Sequence, residues 1–128
     1  MLSEYTDFRL YLRDFYQFKR IETRDSLRPY SYAHFSAAAD IKSPNYLKLI
    51  IDGQRNLSKP MTRKFSRALG HSKEESEEFE ALVLFGQAND PHERNRYLKR
   101  LSDMRIQRQM KEGKIDTDNW ERLPSWVG

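Results

Sequence analysis

The sequence predicts an all-α fold of five to six helices, and three observations carry that expectation. Apolar residues recur at spacings of three and four, the period of a helix with one buried face. Ser, Asp, Pro and Gly stand where helices begin and end, and alternating β-branched runs of the kind that make strands are nearly absent. The chain has 128 residues with 38% apolar content, enough for one small core, and its seven Phe, seven Tyr and two Trp set it apart from disordered segments, which are poor in aromatics.

The elements follow in order. From Tyr5 to about Ile21, Phe8, Tyr11, Leu12, Phe15 and Phe18 fall on one side and Arg9, Arg13 and Arg20 on the other, so the first helix buries an aromatic face. After a polar stretch ending at Pro29, Ser31 caps a short helix through Ala39, its hydroxyl accepting an N–H of the first turn. Ser43 with Pro44 repeats that signal, proline standing at the first helical position, and this helix runs to Asp52 and stops at Gly53. Ser58 opens the next, which ends at Leu69 before Gly70, a residue suited to a left-handed cap. Ser72 and Glu75 match a capping box for a helix that holds Phe79, Leu82, Val83 and Phe85 and reaches Gln87 despite Gly86. Asp90-Pro91 opens a last helix to about Met110. Residues 1–110 thus read as one helical domain and 111–128 as a C-terminal tail.

Composition removes several function classes. With no cysteine, disulfide scaffolds, thiol catalysis, cysteine-based zinc sites and thiolate-held iron–sulfur centres are excluded, and a reducing compartment suits the chain. The longest apolar run, Ala81 to Phe85, is five residues against the roughly 20 that span a bilayer, and MLSEYTDFR lacks a signal pattern, so the expectation is a cytoplasmic protein without a membrane partner. Net charge is +4, arranged in blocks: residues 31–70 carry seven Lys/Arg against two Asp, 71–90 one Lys against six acids, and 91–114 eight Lys/Arg against three acids. A basic block is either a nucleic-acid footprint or a solvated helix face.

One arrangement is specific. Two short helices, Ser31–Ala39 and Pro44–Asp52, are separated by about four residues, with a third close behind, which is helix-turn-helix spacing and makes 31–70 the core of the motif. Ala37, Ala38 and Ala39 allow close approach, and Phe35, Ile41, Leu47 and Ile50 form the wedge between the helices. The second helix then presents Lys42, Ser43, Asn45, Tyr46 and Lys48 outward, followed by Gln54, Arg55 and Asn56 in the loop after Gly53. Asn and Gln can pair with adenine, and Lys and Arg reach guanine or phosphate. Against that, Leu49, Ile50, Ile51 and Asp52 make the same helix more apolar and less basic than a good groove reader, a composition that suits thymine methyl contact or a motif reused for protein binding.

The segments SPNYLKLIIDG, QRNLS and SRALG resemble the Cro/repressor-type helix-turn-helix. More closely, the run from Tyr5 through about Leu101 resembles a family of uncharacterised bacterial helix-turn-helix proteins with a SPNYLKL…IDG…RNLS core followed by an acidic EEFE-containing helix and a basic helix. That resemblance implies a transcriptional regulator, and it implies a second, longer C-terminal domain that these 128 residues do not include.

The remaining features have structural readings. His34, His71 and His92 have no second ligand at metal spacing and read as surface or capping residues. Glu74, Glu75, Glu77, Glu78 and Glu80 lie in the first turns of a helix, where negative charge stabilises the N-terminus. No phosphate-cradling glycine loop or nucleophile elbow occurs, so neither enzymatic activity nor a cofactor is expected. In the last helix Tyr97, Leu98, Leu101 and Met104 form a narrow stripe among six cations, which fits either the acidic helix of the same chain or a second subunit. Trp120, Leu123, Trp126 and Val127 are costly to expose together, so the tail is expected to dock on its own chain, on a neighbouring subunit of a homodimer or on a protein partner. The expected function is a DNA-binding transcriptional regulator acting on double-stranded DNA; the alternative is a protein-interaction adaptor that reuses the helix-turn-helix surface.

Overall fold

A computed structural model describes residues 1–113 as six α-helices preceded by a 3-10 turn at Leu2–Glu4, with no strand among the described residues. The helices are α1 (Phe8–Thr23), α2 (Tyr32–Ala38), α3 (Tyr46–Ile51), α4 (Lys59–Leu69), α5 (Lys73–Gln87) and α6 (Pro91–Lys111). The all-α expectation is therefore met, and none of these helices is long and apolar enough to cross a membrane. Trp120, Leu123, Trp126 and Val127 lie outside the described residues.

Most boundaries follow from caps written in the sequence. The hydroxyls of Ser31 and Ser58 accept the N–H groups of His34 and Met61, Asp90 accepts those of His92 and Glu93, and the Ser72–Glu75 capping box is formed in both directions. Two starts differ from expectation. α1 begins at Phe8 because the Asp7 carboxylate takes the N–H groups of Arg9 and Leu10, while Tyr5 stays extended and donates its hydroxyl to Asp14 at 2.6 Å. α3 begins at Tyr46 rather than Pro44, because the Ser43 carbonyl is taken by the Ser36 hydroxyl at 2.7 Å and Pro44-Asn45 forms a turn; Asn45 occupies the cap position with no side-chain bond.

The core runs through all six helices. Phe8 and Leu12 of α1, Phe35 of α2, Leu47 and Ile50 of α3, Phe65 of α4, Phe79 and Leu82 of α5 and Leu101 of α6 are almost fully buried. Phe35 meets Phe65 edge-on at 4.9 Å, an arrangement that adds to their burial. The aromatic stripe of α1 ends at Phe15; Phe18 and Ile21 are 59% and 63% exposed, since the helix runs on past its partners.

α6 packs chiefly on α5, the acidic helix of the same chain. Glu78 of α5, 1% exposed, receives Arg105 Nε at 2.9 Å and Arg108 Nη1 at 2.7 Å, and Lys111 reaches Glu74 at 2.7 Å. Glu78 thus serves as the buried anchor of α6, beyond the helix-terminus role its sequence position suggested. Arg105 also donates to the carbonyls of Leu2 and Tyr5, tying the N-terminal turn to the same corner.

α2 closes on a non-glycine residue in the left-handed region. Asp40 has φ 56°, its N–H donates to the Ala37 carbonyl and that of Ile41 to the Ser36 carbonyl, which is the double bond pattern of a Schellman cap. L-residues other than glycine pay for this conformation, aspartate less than most. Asp40→Gly is expected to raise stability by about 0.5–1 kcal/mol in thermal or urea unfolding; an unchanged or lowered stability would show that the Asp40 side chain contributes more than its backbone strain removes.

Candidate nucleic-acid interface

The α2–turn–α3 unit is held from inside by Phe35, Ile41, Leu47 and Ile50, each 9% exposed or less. With Leu47 and Ile50 inward, Asn45, Lys48, Leu49 and Asp52 share the outward side of α3, since residues three, four and seven apart lie on one face. Asn45 and Lys48 are exposed and Leu49 is half-buried. Lys48 is bonded to Asp52 at 2.8 Å, and that bond holds its ammonium above the usual lysine range.

An open groove of about 500 Å³ lies between the turn, α3 and the start of α4. Lys42, Ser43, Tyr46, Leu49 and Arg55 line it with Lys64, beside Asp40, Ile41 and Met61. Tyr46 is half-buried, its ring edge-on to Phe65 at 5.9 Å, so it forms the groove's wall and presents only part of its surface. Lys64 donates to the Asp40 carbonyl at 3.0 Å and bridges α4 to the turn.

Gln54, Arg55 and Asn56 are exposed in the loop after α3, and the loop is fixed by side chains from outside it. Gly53, at φ 77°, lets the Gln54 N–H return to the Leu49 carbonyl at 2.9 Å. Arg9 of α1 donates through Nη1 to the carbonyls of Ile50 at 2.6 Å and Arg55 at 2.9 Å, and through Nη2 to Asn56 Oδ1 at 2.8 Å. At the far end the Gln87 amide pairs with both backbone groups of Leu57, accepting its N–H at 2.6 Å and donating to its carbonyl at 3.0 Å. The structure therefore brings Lys42, Ser43, Tyr46 and Arg55 to one groove, leaves Asn45 and Lys48 on the outward face of α3, and places Gln54 and Asn56 on the loop beside them.

The electrostatics of this face follow from where the acids go. Glu74, Glu75 and Glu78 pair with Arg105, Arg108 and Lys111, so three of the six acids of residues 71–90 are met by the second basic block. Lys59 and Arg63 share a groove with Glu77 and Glu80. Among the described residues Lys42, Arg55, Lys64 and Arg67 form no ion pair, nor do Arg94, Arg96, Lys99 and Arg100 of α6.

His71 differs from the expected surface or capping residue. It is half-buried, bonded to the Tyr11 hydroxyl at 2.8 Å and to Ser66 Oγ at 3.2 Å, and burial pushes its pKa down. It joins α4 to α1 and lies outside the basic groove. No cluster of three or more metal-ligating side chains occurs among the described residues.

Comparison with models of known protein families, with curated proteins and with solved structures gives no match. The site therefore rests on this chain's own geometry. Sequence reasoning missed Arg9, Gln87 and Lys64: Arg9 reads as a solvent-side cation of an amphipathic helix, and no spacing within the sequence marks a guanidinium that reaches carbonyls more than 40 residues away.

Proposed function

We propose that the chain is a helix-turn-helix regulator that binds double-stranded DNA through the α2–turn–α3 unit, and so works in the compartment that holds the DNA, the cytoplasm of a bacterial cell. The observation that carries this reading is a group of cations without ion-pair partners: Lys42, Arg55 and Lys64 line the groove beside α3 and pair with no acid among the described residues, while Glu74, Glu75 and Glu78 of α5 are taken by α6. Asn45 and Lys48, on the exposed face of α3, are the groups assigned to base edges. Lys42, Arg55 and Lys64 are assigned to phosphates, with Ser43, Tyr46, Gln54 and Asn56 completing the contact surface. A regulator of this type reads paired half-sites as a homodimer. The adaptor reading draws on Leu49 and Met61, which give the groove an apolar floor that a protein side chain would fill.

Salt separates the two. If about four cations per subunit each displace one counterion, log affinity will fall against log salt with a slope of roughly −3 to −4 for each subunit bound, about a hundredfold per subunit between 50 and 200 mM. Fluorescence anisotropy on mixed-sequence and genomic duplexes measures this directly. Absence of binding at 50 mM salt overturns the DNA reading.

A further inference from the structure

The end of α6 lies at the rim of an apolar groove. This groove, open and about 520 Å³ in volume, runs between the N-terminal turn, α1 and the end of α4, and Leu2, Tyr5, Tyr11, Phe15, Phe18 and Leu69 give it its apolar lining. Its tyrosines present ring surface rather than hydroxyls: Tyr5 donates to Asp14 at 2.6 Å, and the Tyr11 hydroxyl is bonded to His71 at 2.8 Å. Phe18 stands in solvent there, although the period of α1 places it on the apolar side. The last two turns of α6 are fastened along one edge. Arg105 donates to the carbonyls of Leu2 and Tyr5, Arg108 lies 3.6 Å from the Glu75 carboxylate, which lines the groove, and Lys111 reaches Glu74. Gly113, at φ 75°, then closes the helix with its N–H on the Met110 carbonyl.

From this placement we infer that residues 114–128 of the same chain dock in the groove, with the Trp120 indole seated against Tyr11, Phe15 and Phe18 as the anchor. The segment holds both tryptophans of the sequence together with Leu123 and Val127, apolar surface that is costly to leave in water. Reach permits the contact. Trp120 stands seven positions beyond Gly113, which a chain can stretch to about 23 Å, whereas Tyr11 and Phe18 are about 10 Å apart along α1. The chemistry matches as well: ring faces favour an offset or edge-on indole, and the carboxylates of Asp14 and Glu75 at the rim are acceptors for its N–H, a group that only donates. A tether this short sets an effective concentration on the order of millimolar, which favours the chain's own segment over a second copy. The groove shares no lining residue with the basic groove beside α3, so the docked segment leaves that face open and the inference stands apart from the DNA reading.

Because both tryptophans lie in this segment, tryptophan fluorescence of the full chain reports on it alone. Emission is expected to the blue of the urea-unfolded chain, unchanged on dilution, and severalfold less quenched by acrylamide. In Trp126→Phe, which leaves Trp120 as the sole fluorophore, the blue shift should persist; its loss would take the anchor role from Trp120. Phe18→Lys changes a side chain that is exposed in the groove, and should move emission to the red and raise quenching severalfold while circular dichroism shows the helices intact. Leu98→Lys, at an exposed apolar position of α6 outside the groove, should change neither. Emission as red as that of the unfolded chain overturns the docking. Blue emission that Phe18→Lys leaves in place, or that Leu98→Lys shifts equally, overturns the groove as its seat. A blue shift that fades on dilution overturns same-chain docking and puts the segment on a second copy.

Discussion

Glu78→Ala is expected to lower the unfolding free energy by about 3–5 kcal/mol, a large share of the 5–15 kcal/mol typical of a small domain. The reason lies in what the substitution leaves behind. The Glu78 side chain is 2% exposed, and the two arginines that meet it are only 15% and 22% exposed, so water screens the cluster poorly. Arg108 keeps Glu75 and Glu112 within reach at 3.6 and 3.3 Å, but Arg105 loses its carboxylate and keeps only carbonyls. An uncompensated guanidinium then stands in the α5–α6 corner. Glu78→Gln, which retains one acceptor oxygen, should lose less. Replacing all three partners by apolar residues of similar size should recover much of the loss, because the penalty comes from unpaired charge rather than from forfeited attraction. Urea unfolding followed by circular dichroism measures each variant. A Glu78→Ala protein within 1 kcal/mol of the parent would mean that the corner takes up water and that the cluster is electrostatically open.

Features that depend on neighbours in the chain were legible in the sequence. Ser31, Ser58, Ser72 with Glu75, and Asp90 each mark a helix start because a cap needs only a side-chain oxygen and an N–H two or three residues on. Ser43 carries the same signal and fails, since Ser36 reaches its carbonyl from the preceding helix and the chain turns once more before α3. Periodicity showed which side of α1 is apolar but could not show where its partners end, and so Phe18 reads as core while standing in solvent. The candidate interface divides along the same line. Lys42, Asn45, Lys48 and Arg55 are visible as outward residues of a short helix and its loop, whereas Arg9 and Gln87, which hold that loop, act across 30 or more positions of sequence. Charge blocks were visible as composition; which acids they pair with required the structure, where Glu74 and Glu78 meet α6 while Lys42, Arg55 and Lys64 beside the turn form no ion pair among the described residues.

Gly86 carries the second large effect, and its sign runs against helix propensity. Replacing a helical glycine by alanine ordinarily gains about 1 kcal/mol. Here a Cβ at Gly86 would stand 2.7 Å from Cδ1 and 2.9 Å from Cε1 of Phe8, well inside the 3.5–4.0 Å at which carbons rest. The Phe8 ring cannot step aside: it is 1% exposed, and the Arg9 guanidinium lies 4.6 Å from its centroid. Either the ring leaves its rotamer or α1 moves off α5, and overpacking of this kind costs about 1–3 kcal/mol. Gly86→Ala should therefore be destabilising on balance, and Gly86→Val, with two further methyl groups, by about 2–3 kcal/mol. Because Arg9 follows Phe8 directly and holds the carbonyls of Ile50 and Arg55, a shift of α1 also loosens the loop after α3, so Gly86→Val should weaken duplex binding as well. Phe8→Leu makes room for the new Cβ, and in that background Gly86→Ala should become stabilising, giving a coupling of about 2 kcal/mol in a double-mutant cycle. A higher melting temperature for Gly86→Ala in the parent would show that α1 and α5 part without loss, and the close approach of Phe8 to the α5 backbone would then have no role in holding Arg9 over the loop.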